Sequence, residues 1–160
     1  MTYTYREATA DDGATILRLV TELAIYEKAE HEVRATAEDF SRALSQGSSA
    51  LLVEDNAGTV VGFALWFTTF STWLGRPGMF LEDLYVAPEH RGRGIGVALL
   101  SRLAASCVAR GYRRFEWRVL DWNTPSIAFY EALGAQRLSE WYTYRLDGEA
   151  LELLAKRVRP

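Results

Sequence analysis

The sequence predicts an α/β chain in which a mixed sheet is flanked by helices. Three observations lead to that class. Short β-prone runs alternate with stretches whose apolar residues return at helical spacing, as Ile16, Leu19, Val20 and Leu23 do. Asp55-Asn56-Ala57-Gly58, rich in residues suited to positive φ, joins two such runs, 50–54 and 59–69, as a hairpin. Residues 81–119 read strand, helix, strand, a crossover long enough for its two strands to run parallel. With 160 residues, 49% of them hydrophobic and 24% charged, the chain is expected to form one domain, 1–160, that buries its own core.

Residues 3–7 alternate and form the first strand, an edge. Thr9 offers a capping hydroxyl and Asp12 a carboxylate three residues on, so a first helix starts there and runs to about Tyr26. Residues 27–34 are polar and irregular, and Thr36-Ala37-Glu38-Asp39 starts a short second helix through Leu44. After the hairpin, residues 70–77 form a loop carrying Trp73 and Leu74. The apolar run 80–86, interrupted by Glu82 and Asp83, is the next strand, antiparallel to the last, and Ala87-Pro88-Glu89-His90 ends it. A helix follows over 95–109, with Gly111 in the position a C-cap favours. Residues 113–119 form a strand; Thr124 caps a helix with Pro125 at its first position, and Gly134 stops it. Residues 142–146 make a closing strand and 149–158 a terminal helix.

The formal charge of −3 argues against a nucleic-acid partner. No apolar run approaches the ~20 residues of a membrane span, so a soluble, cytoplasmic protein without membrane contact is expected. Cys107, the single cysteine, sits among alanines of the long helix and reads as a small core residue; no metal site is expected.

Between strand and helix stands Arg91-Gly92-Arg93-Gly94-Ile95-Gly96. Such a loop points consecutive backbone N–H groups at one spot, and the helix dipole adds positive potential, which suits a phosphate-bearing ligand. A P-loop requires Gly-Lys-Ser/Thr, and Gly96-Val97-Ala98 supplies neither lysine nor hydroxyl. A dinucleotide fingerprint requires a third glycine where Val97 stands. Arg91-x-x-Gly94-x-Gly96 after an acid-bearing strand resembles instead the acyl-coenzyme A pyrophosphate loop of the GNAT superfamily of N-acetyltransferases. The segment Asp121-Trp122-Asn123-Thr124-Pro125-Ser126-Ile127-Ala128-Phe129-Tyr130 looks like that family's fourth motif. Glu22-Leu23-Ala24-x-Tyr26-Glu27, and Trp73-Leu74-Gly75 before Phe80-Leu81-Glu82-Asp83, resemble its diamine (spermidine/spermine) and thialysine acetyltransferase branches. The resemblance runs from Arg6 to about Leu151.

The resemblance implies the GNAT fold, a mixed, mostly antiparallel sheet of about seven strands flanked by helices. It implies transfer of acetyl from acetyl-coenzyme A to a primary amine of a small cationic substrate, by direct attack in a ternary complex and without metal. An aliphatic ammonium, with a pKa near ~10.4, must first lose a proton, and Glu82 is the base expected, acting through water. Tyr130 is the expected acid for the leaving thiolate. Backbone amides of Gly92, Arg93, Gly94, Ile95, Gly96 and Val97 are expected to hold the pyrophosphate, with Arg91 and Arg93 adding charge. Leu84, Tyr85 and Val86 would pair with the pantetheine amides, while Asn123, Ser126 and Tyr130 complete the cofactor contacts. Tyr26, Glu27, Glu82 and Asp83 are the expected amine contacts; in an ideal strand Asp83 points away from Glu82 unless a bulge redirects it, and Glu30 and Glu32 would extend the acidic wall. Tyr142, Tyr144 and Glu116 depart from the diamine pattern, which leaves polyamines, thialysine, lysine-like and other small amines open. A homodimer is implied. The alternatives are a non-catalytic acyl-coenzyme A sensing module and a protein N-acetyltransferase.

Overall fold

A computed structural model describes residues 2–158, which form two compact units dividing after Arg118. The first unit contains five strands: β1 (Thr4–Glu7), β2 (Ser49–Glu54), β3 (Val60–Ser71), β4 (Arg76–Val86) and β5 (Phe115–Trp117). It also contains α1 (Gly13–Tyr26), α2 (Ala37–Ser45) and α3 (Ile95–Ala109). The strands lie side by side in chain order, antiparallel throughout except for β4 and β5, which run parallel as the crossover requires. The second unit carries α4 (Thr124–Ala132) and α5 (Gly148–Ala155).

Five strands are found where about seven were expected. Residues 142–146 form no strand among the described residues, and Tyr142 and Tyr144 are 82% and 92% exposed. Alternation marks a segment that suits a sheet, but a strand forms only where a neighbouring edge completes its ladder, and the second unit contains no other strand among its described residues. β5 is also shorter than the 113–119 expected, and the β3–β4 hairpin is longer: both strands extend into the expected loop, leaving only residues 72–75 as the turn.

Helix punctuation follows side-chain chemistry closely. Thr9 and Asp12 form their capping box around a 3₁₀ turn, Ala10–Asp12, before α1 begins. At α2 the Thr36 hydroxyl accepts from the Asp39 N–H and the Asp39 carboxylate from the Thr36 N–H, as expected. Gly111, at φ 70, ends α3, and the Tyr112 N–H returns to the Cys107 carbonyl at 2.9 Å. At α4 the cap is Asn123 rather than Thr124: its Oδ1 accepts from the Ser126 N–H at 3.3 Å, and Pro125 occupies the second helical position. Asparagine and threonine are both good caps; the one whose oxygen reaches an unpaired amide of the first turn wins.

One face of the sheet packs Leu52, Phe63, Leu65 and Tyr85 with Ile16 and Leu19 of α1. On the other face Met79 Sδ lies 3.7 Å from Cys107 Sγ of α3. Cys107 is thus buried in the core, and burial raises its thiol pKa. Each fully buried side chain of this kind stabilises the fold by about 1.5–3 kcal/mol.

Candidate active site

The site begins with a fault in the β3–β4 ladder. Leu65 pairs with Asp83, but the next residue, Trp66, pairs with Leu81, so Glu82 is the extra residue of a β-bulge. Residues paired across an antiparallel ladder share a face. Asp83 and Tyr85 therefore share the α1 face with Leu65 and Phe63, whereas Leu81 and Met79 lie on the α3 face. Simple alternation would have left Asp83 with Leu81, against α3. The bulge brings it round to α1, and leaves Glu82 exposed between the two settings.

The same point marks the end of pairing with β5. That parallel ladder runs from Met79–Phe115 to Leu81–Trp117 and stops. Leu84, Tyr85 and Val86 continue β4 beyond it, paired with β3 only. β4 thus carries a stretch without a β5 partner directly before the glycine loop.

Asp83 is half-buried, and its carboxyl pKa is pushed up to about 6, first by burial, then by the charges of Glu82 and Glu27. Glu27, immediately after α1, is itself raised by burial. No salt bridge among the described residues engages any of the three. Glu27, Glu82 and Asp83 are therefore brought together as unmatched negative charge. Glu30 and Glu32 are not among the charges acting on Asp83; they occupy an exposed 3₁₀ turn.

Arg91-Gly92-Arg93-Gly94 leads from this strand into α3. Gly92 and Gly94 adopt φ 71 and 78, and a β-carbon would meet nothing within 4 Å at either, so backbone conformation rather than crowding requires glycine. Gly94 is the N-cap, without a side-chain cap, and the first helical hydrogen bond is from the Ala98 N–H to the Gly94 carbonyl at 2.9 Å. Ile95, Gly96 and Val97 consequently present first-turn N–H groups with no intrahelical acceptor. Left-handed glycines followed by an uncapped helix start form a cradle that fits a pyrophosphate.

Arg91 itself donates Nε–H to the Val86 carbonyl at 2.8 Å, and its guanidinium lies 4.8 Å from the Tyr26 ring centre and 5.6 Å from that of Tyr85. Tyr85, expected to contribute only backbone, buries its ring in the core, and its phenol pKa is raised by burial and then by the charge of Glu22 on α1. Sequence reasoning gave Glu22 no part here, although it stands one helical turn before Tyr26. Asn123, Ser126 and Tyr130 belong to the second unit: Asn123 is buried as the α4 cap, and Tyr130 lies in the last turn of that helix.

The model of the acetyltransferase (GNAT) family matches residues 14–135. Thialysine N-epsilon-acetyltransferase of Mus musculus is 38% identical, over 95% of this chain and 96% of its own. Spermidine/spermine N(1)-acetyltransferase-like protein 1 of Homo sapiens is 33% identical over 91% of this chain, which spans 23% of that protein. Among solved structures, an integron cassette protein from the mobile metagenome of V. cholerae is 25% identical with a TM-score of 0.81, covering 98% of this chain and 99% of that one. The matching family and these N-acetyltransferase relatives define an acyl-transferring enzyme. The chain belongs to the GNAT family and is an N-acetyltransferase.

Proposed function

We propose that the chain transfers the acetyl group of acetyl-coenzyme A to a primary amine of a small cationic substrate, diamine- or polyamine-like or thialysine/lysine-like, by direct attack in a ternary complex. The observation that carries this reading is the cluster of Glu27, Glu82 and Asp83, without a salt bridge among the described residues: Glu82 and Asp83 stand on the strand that leads into the cradle, and Glu27 directly follows α1. Unmatched carboxylates are costly to a fold and favour a cation in their midst.

Within this reading Gly92, Arg93, Gly94, Ile95, Gly96 and Val97 hold the pyrophosphate, the backbone of Leu84, Tyr85 and Val86 holds the pantetheine amides, and Asn123 and Ser126 add polar contacts. Tyr26, Glu27 and Asp83 bind the ammonium, and Glu82 removes its proton through water. The freed nitrogen lone pair attacks the thioester carbonyl carbon, a C–N bond forms, and the C–S bond breaks. The departing sulfur takes the phenolic proton of Tyr130, the role the fourth motif gives it, and the second proton that the nitrogen sheds as the amide forms restores the phenol. Homodimerisation and a cytoplasmic location belong to the same proposal, and sedimentation at low concentration tests the first.

The test is thiol release from acetyl-coenzyme A with putrescine, spermidine, spermine, thialysine, lysine and a peptide amine. Turnover with a small diamine or diamino acid is expected. Turnover with the peptide alone would make the chain a protein N-acetyltransferase, and none with any amine would leave an acyl-coenzyme A sensing module.

A further inference from the structure

Arg91 opens the phosphate-binding loop, yet every contact the structure gives its side chain lies with the strand behind it and with α1. Its Nε–H is held by the Val86 carbonyl at 2.8 Å, so the side chain folds back over the end of β4. Its guanidinium packs against Tyr26, the last residue of α1, and against Tyr85 of β4. The Tyr85 ring is itself buried in the core cluster that includes Ile16 and Leu19 of α1.

The end of α1 needs such a hold. Lys28 stands at φ 61, the left-handed conformation that a Schellman-type helix end requires and that glycine normally supplies. The Lys28 and Ala29 N–H groups return to the Ile25 and Ala24 carbonyls at 3.1 and 2.8 Å. An L side chain in that region is strained. Glu27 stands between the strained residue and the ring under Arg91, and after that of Glu82 its charge is the one that acts on Asp83.

We infer that Arg91 is a positioning residue for the amine site: its guanidinium, packed on Tyr26 and Tyr85, holds the end of α1 so that Glu27 stays within reach of Asp83. The inference rests on the amine-acetyltransferase reading and moves Arg91 from the pyrophosphate to the other substrate. Two arginines of one short loop thereby divide the work, with Arg93 left beside the cradle.

Arg91→Lys separates the two roles, because it keeps the positive charge and removes both the planar stack and the Nε–H. Steady-state kinetics of the variant should show the amine KM raised about fivefold or more and the acetyl-coenzyme A KM within about twofold of wild type. Tyr26→Leu should raise the amine KM similarly, and the double variant should fall well short of the product of the two effects. A raised acetyl-coenzyme A KM with an unchanged amine KM would overturn the inference. Amide hydrogen exchange gives a readout without turnover: Lys28 and Ala29 should exchange about tenfold faster in Arg91→Lys, while β2 and β3 amides are unchanged. Unaltered exchange at those two amides overturns the positioning role even if the wild type acetylates amines. Faster exchange there, in a chain that acetylates none, would keep the hold on α1 and sink the amine reading alone.

Discussion

Two acidic clusters in the first unit have opposite electrostatics. Asp12, 8% exposed, receives two parallel N–H bonds from Arg6 at 2.8 and 2.9 Å, and Arg6 Nε–H goes to Glu54 at 2.6 Å. The Arg6 bonds, helped by the Thr9 N–H, hold the Asp12 carboxyl down to about 2 against the opposing effect of burial. Asp83, in its bulge, has only burial and two like charges acting on it, and its carboxyl rises to about 6. Both groups are carboxylates in partly or wholly dry surroundings, so the inventory of partners decides the sign. A cluster whose charges are matched is part of the fold, while one left unmatched implies a cation supplied from outside.

Asp83→Asn should produce the largest effect and should act in opposite directions on activity and stability. Loss of a charge facing a desolvated ammonium should lower kcat/KM for the amine by about 100-fold, in line with the several kcal/mol that truncating a charge partner costs. The folded-state pKa of Asp83 lies above its unfolded value, so ionising it costs folding free energy as pH rises from about 4 through 6. A neutral asparagine avoids that cost, and urea unfolding at pH 7.5 should show a gain on the order of 1–3 kcal/mol. A variant that is both less stable and fully active would erase the contrast between the clusters.

The pH profile sharpens the same contrast without a mutation. As pH falls through about 6, Asp83 takes up a proton and one of the three charges facing the amine is lost. The amine KM should rise about threefold to tenfold between pH 7 and pH 5, with acetyl-coenzyme A binding measured separately to hold the cradle constant. In Asp83→Asn that inflection should vanish; its persistence would assign the titration to another group.

How much of this was legible beforehand depends on the range of each interaction. The span of α3, Ile95–Ala109, and the capping box of Thr36 and Asp39 follow from residues within a turn of one another. The parallel pairing of β4 and β5 follows from crossover length. The bulge at Glu82 does not, because it is a property of the register between β3 and β4, set by which of their residues meet across the ladder. An Asp beside a Glu in an apolar strand was a visible oddity, and only the register says which face each takes. Glu30 and Glu32 were grouped with Glu27 on proximity in sequence, but Glu27 directly follows α1 and is partly buried while they turn outward on the next bend. For the closing strand at 142–146 local alternation was present, but the described residues of the second unit include no other strand to complete a ladder.

Asp12→Asn is the complementary variant, with the smallest expected change in activity. It removes the carboxylate from a bidentate pair whose arginine is 38% exposed, so solvent screening reduces what the pair contributes. A loss of about 1–2 kcal/mol in urea unfolding at pH 7 is expected, with kcat and both KM values unchanged for the folded enzyme. The acid limb distinguishes this cluster further. Asp12 has a folded-state pKa below its unfolded one, so its stabilisation is present above about pH 4 and is lost as pH falls toward 2. Wild type should therefore lose stability across that window more steeply than Asp12→Asn, and the two curves should converge at its acid end. If Asp12→Asn instead raised the amine KM as Asp83→Asn does, the matched cluster would belong to the site after all, and partner inventory would not separate fold from function in this chain.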